Sequence, residues 1–139
     1  MRLLTLASLM FVALGAAACS EADLLTAPTA AARVDGTWNL VQLTGSGISL
    51  TEAKTSSRFV LTLAGDRSVL KADCNTCAGE FRLDNDVITL NLQACTRAFC
   101  TSSPLDTQVV TALSGQHTVR LDASRLQFTS SRGEIKFER

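Results

Sequence analysis

From Trp38 onward, apolar residues return at every second position, in short runs separated by turn-forming residues. Trp38 and Leu40 alternate with Asn39, and Phe59, Leu61 and Leu63 with Arg58, Val60 and Thr62. The same pattern holds for Phe81 and Leu83, for Ile88, Leu90 and Leu92, for Val119 and Leu121, for Leu126 and Phe128, and for Ile135 and Phe137. Period two gives each run one buried and one wet face, as in an antiparallel sheet. Ala64-Gly65-Asp66-Arg67, Asp84-Asn85-Asp86, Asp122-Ala123-Ser124 and Ser131-Arg132-Gly133 have hairpin lengths and turn chemistry. Ser68 to Ala72 reads as a strand returning on residues 58–64, and residues 44–57 as a loop with one short strand.

One segment has helical spacing. Leu105, Val109, Ala112 and Leu113 share a face, and Gly115 offers a stop. Ser103 as cap, Pro104 at the first helical position and Asp106 closing a capping box predict a start near residue 104. The expected fold is therefore α+β and mostly β. It is a small curled antiparallel sheet or barrel of about eight strands, with one packed α-helix over about residues 104–114.

The first 18 residues break this picture. Arg2 is followed by an apolar stretch from Leu3 to Leu14 and by small residues up to Ala18. This is the pattern of an export signal and is short for a spanning helix. Leu14-Gly15-Ala16-Ala17-Ala18-Cys19 resembles a bacterial lipobox, with Ala16 where Leu is more usual. The resemblance implies cleavage before Cys19 and lipid attachment to its thiol. Multiple acyl chains anchor a protein stably. Ser20 in place of Asp resembles the default signal for outer-membrane sorting. Without the lipobox the protein would be secreted. Residues 19–34 are small and polar, with one Pro, and read as a tether.

Composition sharpens this reading. The 139-residue chain is 46% hydrophobic with a formal net charge of zero. Removing the signal brings the hydrophobic share to about 41%, ordinary for a soluble domain. A balanced charge argues against nucleic acid, which requires a basic stripe. With 5% aromatic residues and no Tyr, a stacking platform for single strands is unsupported.

Four cysteines follow Cys19: Cys74 and Cys77 in a C-x2-C, Cys95 and Cys100 in a C-x4-C. Disulfides, a zinc site and a redox dithiol are all compatible with these spacings. Export favours disulfides, in any of three pairings. The C-x2-C precedes a strand rather than the helix that would activate a redox thiol. No metal or other cofactor is expected.

At this point the chain resembles the META (HslJ-like) domain family. Asp35-Gly36-Thr37-Trp38-Asn39-Leu40 is similar to its opening strand. Cys74-Asn75-Thr76-Cys77-Ala78-Gly79-Glu80-Phe81 is similar to its Cys-Asn-x-x-x-Gly-x-aromatic motif. Cys95-Thr96-Arg97-Ala98-Phe99-Cys100 is similar to its Thr-x-Met-x-Cys motif, with Ala98 in place of Met. Asp106, Val109 and Leu113 follow its helix pattern, and Gly133 to Arg139 its last strand. The resemblance covers residues 35–139. It implies a bridge between Cys74 and Cys100, which leaves Cys77 to pair with Cys95. It also implies structural roles for Gly36, Trp38, Asn75, Gly79 and Thr96. The family has no established catalytic residues and is linked to envelope stress responses and motility.

The residues themselves offer little catalysis. A Ser-His-Asp arrangement would need His117, the only His, which reads as a surface strand residue. Asp84 and Asp86 belong to a turn, and no glycine-rich phosphate loop follows a strand. Arg58, Arg67, Lys71 and Arg82 read as a solvated face. The expectation is a non-enzymatic, lipid-anchored monomer of the cell envelope, tethered to the outer membrane and facing the periplasm. It would serve envelope integrity or stress tolerance by contacting an unidentified envelope protein. The alternative is a binding module that inhibits an exported hydrolase such as a protease or lysozyme.

Overall fold

A computed structural model describes residues 33–45, 47–52, 56–99 and 105–139. The signal segment 1–18, Cys19, most of the tether, Cys100, Ser103 and Pro104 lie outside the described residues. Nine strands and a helix follow in the order β1 (Gly36–Gly45), β2 (Ile48–Thr51), β3 (Phe59–Ala64), β4 (Arg67–Ala72), β5 (Asn75–Asp84), β6 (Val87–Cys95), α1 (Asp106–Leu113), β7 (Gly115–Asp122), β8 (Arg125–Ser130) and β9 (Gly133–Glu138).

All pairings are antiparallel, and β1 closes the sheet by pairing with both β3 and β9. Eight strands thus form a closed barrel, which removes most sheet edges. The ninth, β2, is an extra strand on the far half of β1, from Gln42 to Gly45. It is the short strand expected between residues 44 and 57.

Period-two patterning explains the wall. Phe59, Leu61, Leu63, Leu70, Phe81, Ile88, Leu90, Leu126, Phe128, Ile135 and Phe137 all point inward and are buried. An eight-stranded barrel has an interior just wide enough for its own side chains to fill. Trp38, Phe59, Phe128 and Phe137 are the largest fully buried side chains, and Phe128 meets Phe137 edge-on at 5.5 Å between ring centres. A bulge between Leu40 and Gln42 shifts the phase of β1, so Leu43 rather than Gln42 returns to the core.

The two ends of the barrel differ. One carries the start of β1 and the turns Gly65–Asp66, Asn85–Asp86 and Ala123–Ser124. There Val34 is buried and its carbonyl accepts a 2.8 Å bond from Trp38 Nε1. The Arg139 guanidinium lies 4.2 Å over the same indole. The other end carries the Asp73–Cys74 turn, the end of β6 and α1. Val109, Ala112 and Leu113 of α1 are buried, with Leu105 partly so, as the helical spacing predicts.

The helix spans Asp106–Leu113, within the stretch the sequence suggests. Its cap position is Leu105, which offers no side-chain bond, and Asp106 opens the first turn. The Asp106 carboxylate accepts from Asn75 and from the Thr107 backbone N–H, and the expected cap residue Ser103 lies outside the described residues. At the other terminus Ser114 is extended and Gly115 takes a φ of 105°. That conformation favours glycine and ends the helix as expected.

Candidate functional site

At the helix end, one buried amide joins three parts of the chain. Asn75 opens β5 directly after the Asp73–Cys74 turn and is 7% exposed. Its Oδ1 accepts from the Ala98 backbone N–H at 2.7 Å and from Thr96 Oγ1 at 3.1 Å. Its Nδ2 donates to Asp106 Oδ2 on α1. Thr96 Oγ1 in turn accepts from the Thr76 N–H at 3.0 Å. A side-chain amide has both a donor and an acceptor, so Asn75 can hold a carboxylate on one side and N–H and O–H groups on the other. This fixes the segment after β6 and the start of α1 relative to β5.

A second polar link supports it. Asp73, with φ of 56°, accepts from the Arg58 guanidinium at 2.9 and 3.3 Å. Arg58 also bonds Glu52 at 3.1 Å. The Arg58 bond holds the Asp73 carboxyl below its ordinary pKa, with a Leu105 backbone hydrogen bond adding to it. Asp73 therefore ties the β4–β5 turn to the residue before α1. Arg58 is half-buried in this pair rather than part of a solvated face. Its strand alternation does point it out of the barrel, but the chain beside β2 brings Glu52 over it.

Between α1 and residues 95–99 lies a cleft of about 630 Å³. Its floor includes Cys77 and Cys95, its helical wall Thr107 and Val110, and its rim Arg97 and Phe99. Phe99 is 95% exposed, while the other large apolar side chains counted as exposed among the described residues reach 40% at most. Large exposed aromatics at a cleft mark interaction sites more often than isolated surface apolar residues do.

Cys77 and Cys95 stand directly opposite on β5 and β6 and are joined by a disulfide with Cα atoms 4.0 Å apart. Cys74 is also disulfide-bonded, and Cys100 lies outside the described residues. Gly79 sits at a bulge between β5 and β6, where a Cβ would fall 1.8 Å from the Asn91 carbonyl oxygen. Its role is close backbone approach. Gly36 takes a φ of 143°, and Trp38 fills the opposite end of the core. Of the motif residues, Asn75 and Thr96 meet at the cleft, whereas Gly36 and Trp38 do not.

His117 departs from its expected surface position. It is buried on β7, stacked 5.7 Å from Phe128, with Nε2 2.9 Å from the Leu113 carbonyl. Nδ1 has no partner. Burial pushes its pKa down, opposed by the Leu113 bond and reinforced by the nearby Arg132 charge. The alternation that places Val119 inward places His117 inward too, so the signal was present in the spacing. The sequence gives no comparable signal for Phe99 or for the Asn75–Asp106 contact, which depend on closure of the barrel. Among the described residues, no three His, Cys, Asp or Glu side chains gather as a metal ion would require. None of the described helices is long and apolar enough to cross a membrane.

The META domain pattern matches residues 30–139, and the chain belongs to the META domain family. This family is not known as enzymatic. No curated protein matches the chain. Among solved structures, a protein from Burkholderia xenovorans determined by NMR is 20% identical, with a TM-score of 0.59 over 76% of this chain and 81% of that one. A second NMR structure is 19% identical, with a TM-score of 0.57 over 73% and 86% of the two chains. The crystal structure of an uncharacterized protein from Bacteroides eggerthii is 12% identical, with a TM-score of 0.50 over 76% and 98%. At these identities the likeness is one of fold.

Proposed function

We propose that this chain is a lipid-anchored envelope protein that acts by holding another protein at the helix end of its barrel, without catalysing a reaction. The observation that carries this reading is Phe99, almost wholly exposed beside the cleft on a segment fixed by Asn75. Exposing an aromatic ring to water is unfavourable unless a partner covers it, and aromatic anchors seated in pockets dominate many interfaces. The export signal and Cys19 support attachment through lipid, and the second disulfide is proposed between Cys74 and Cys100. A role in envelope integrity or stress tolerance follows from family resemblance.

Two experiments test this. A photo-crosslinking amino acid at position 99, introduced in cells, is expected to capture a discrete protein. Its identity decides whether the partner is an exported hydrolase, and an empty crosslink overturns the binding role. Labelling with a palmitate analogue is expected to disappear in Cys19→Ser, and unchanged labelling there refutes the anchor.

A further inference from the structure

Among the described residues, the barrel wall has a gap between β6 and β7. Strand β7 pairs with β6 only from Val87 to Leu90, where Gly115 stands opposite Leu90. On β6 the residues Asn91–Cys95 continue along β5 but have no strand on their other side among the described residues. The Thr96 N–H bonds the Thr76 carbonyl at 2.9 Å. In an antiparallel ladder, bonded and non-bonded pairs alternate. Cys95 and Cys77 are therefore a non-bonded pair, and the Cys95 N–H and C=O point away from β5. An unpaired edge of this kind is a template for an added strand.

Two side chains just beyond the Cys95 end of the edge specify what such a strand would carry. Phe99 is an apolar platform. Arg97 is exposed and makes no ion pair among the described residues. Its charge calls for a carboxylate.

Resting on the reading that the cleft meets a protein, we propose that the edge Asn91–Cys95 takes an extended peptide segment of that partner as an added strand, with an apolar side chain on Phe99 and an acidic one on Arg97. The disulfide to Cys77 holds the end of the edge against β5, so the template is formed before the peptide arrives.

The test uses the full chain in detergent and an immobilised library of random eight-residue peptides. Enriched peptides are expected to combine apolar and acidic residues and to lose at least tenfold in affinity against Phe99→Ala and against Arg97→Glu. Both side chains are exposed, so neither change should disturb the fold. N-methylation of alternate peptide nitrogens should abolish binding, and the bound peptide should slow hydrogen exchange of the Cys95 amide at least tenfold. The proposal is overturned if every peptide binds the native chain and the combined Phe99→Ala/Arg97→Glu chain equally, or if bound peptides leave Cys95 exchange unchanged. Slowing produced by raising the protein's own concentration also overturns it, because a second copy then occupies the edge. If position 99 crosslinks a partner in cells while the peptides fail, strand addition alone is refuted. If the crosslink is also empty, the binding role falls with it.

Discussion

Replacing Asn75 with Ala removes the joint between β5, the segment after β6 and α1. Among the described residues the side chain accepts two hydrogen bonds and donates to the Asp106 carboxylate, with a weaker contact to Cys74 Sγ. A neutral bond contributes about 1 kcal/mol net and one to a charged group about 1.5–3 kcal/mol. Simple addition gives roughly 4 kcal/mol. Ala98 and Thr96 are exposed residues, so water replaces part of what they lose. The expected cost is then about 3 kcal/mol, which for a domain of this size lowers the melting temperature by about 12 °C. Urea unfolding of Asn75→Ala and the native chain measures the cost directly. Native-state hydrogen exchange should show the Ala98 amide losing its protection. Asn75→Asp is the sharper comparison. It keeps an acceptor for Ala98 and Thr96 but sets a carboxylate against Asp106, so it should be worse at neutral pH than near pH 4, where protonation relieves the repulsion. A loss below about 1 kcal/mol in Asn75→Ala, or an Ala98 amide that stays protected, would refute the joint.

Removing the cross-strand bridge with Cys77→Ala/Cys95→Ala should cost about 3 kcal/mol, from the entropy of a closed loop of this length. The sequence separation is 18 residues, and denaturant midpoints under non-reducing conditions provide the measure. His117 makes stability depend on pH in one direction. Its folded pKa lies below the ordinary 6.5, so the unfolded chain takes up the proton first. Stability is then complete above about pH 6.5 and declines as the pH falls below it, with His117→Leu flattening that slope. The Asp73 contribution fades only below 3.8, in a separate window. Gly79→Ala should cost more than about 3 kcal/mol or prevent folding, because backbone blocks its Cβ. Gly47→Ala, with φ of 80° and nothing within 4 Å, should cost only about 1 kcal/mol in the same unfolding assay.

The barrel wall was legible because its pattern is local. Leu61 and Leu63, or Phe128 beside Leu126, declare one buried face through alternation alone, and the turns between strands declare themselves through Gly, Asn and Asp. The exceptions have physical causes. A single extra residue at the β1 bulge moved Leu43 into phase with the core, and alternation cannot register such a shift. His117 is legible by position, while its residue type suggests the surface; a ring that stacks on Phe128 and bonds the Leu113 carbonyl is tolerated in the core. The helix is legible from its own spacing, whereas the long-range partner of Asp106 is not. The Asp106 carboxylate serves Asn75, 31 residues earlier in the chain. The gap beside β6 depends on where β7 begins, and that is a property of the closed barrel rather than of any one segment.

The separation of the two barrel ends has a consequence for reach. The chain enters beside Val34 and Trp38, while the cleft, Phe99 and the unpaired part of β6 sit at the opposite end. With lipid on Cys19, the sixteen residues to Asp35 can span at most about 55 Å. The tilted barrel then adds about 25 Å of its own height. The binding end would face away from the bilayer, sampling a shell up to about 80 Å deep. A partner would be met in the space beyond the lipid surface, and shortening the chain within residues 20–32 would contract that shell without altering the affinity of the cleft.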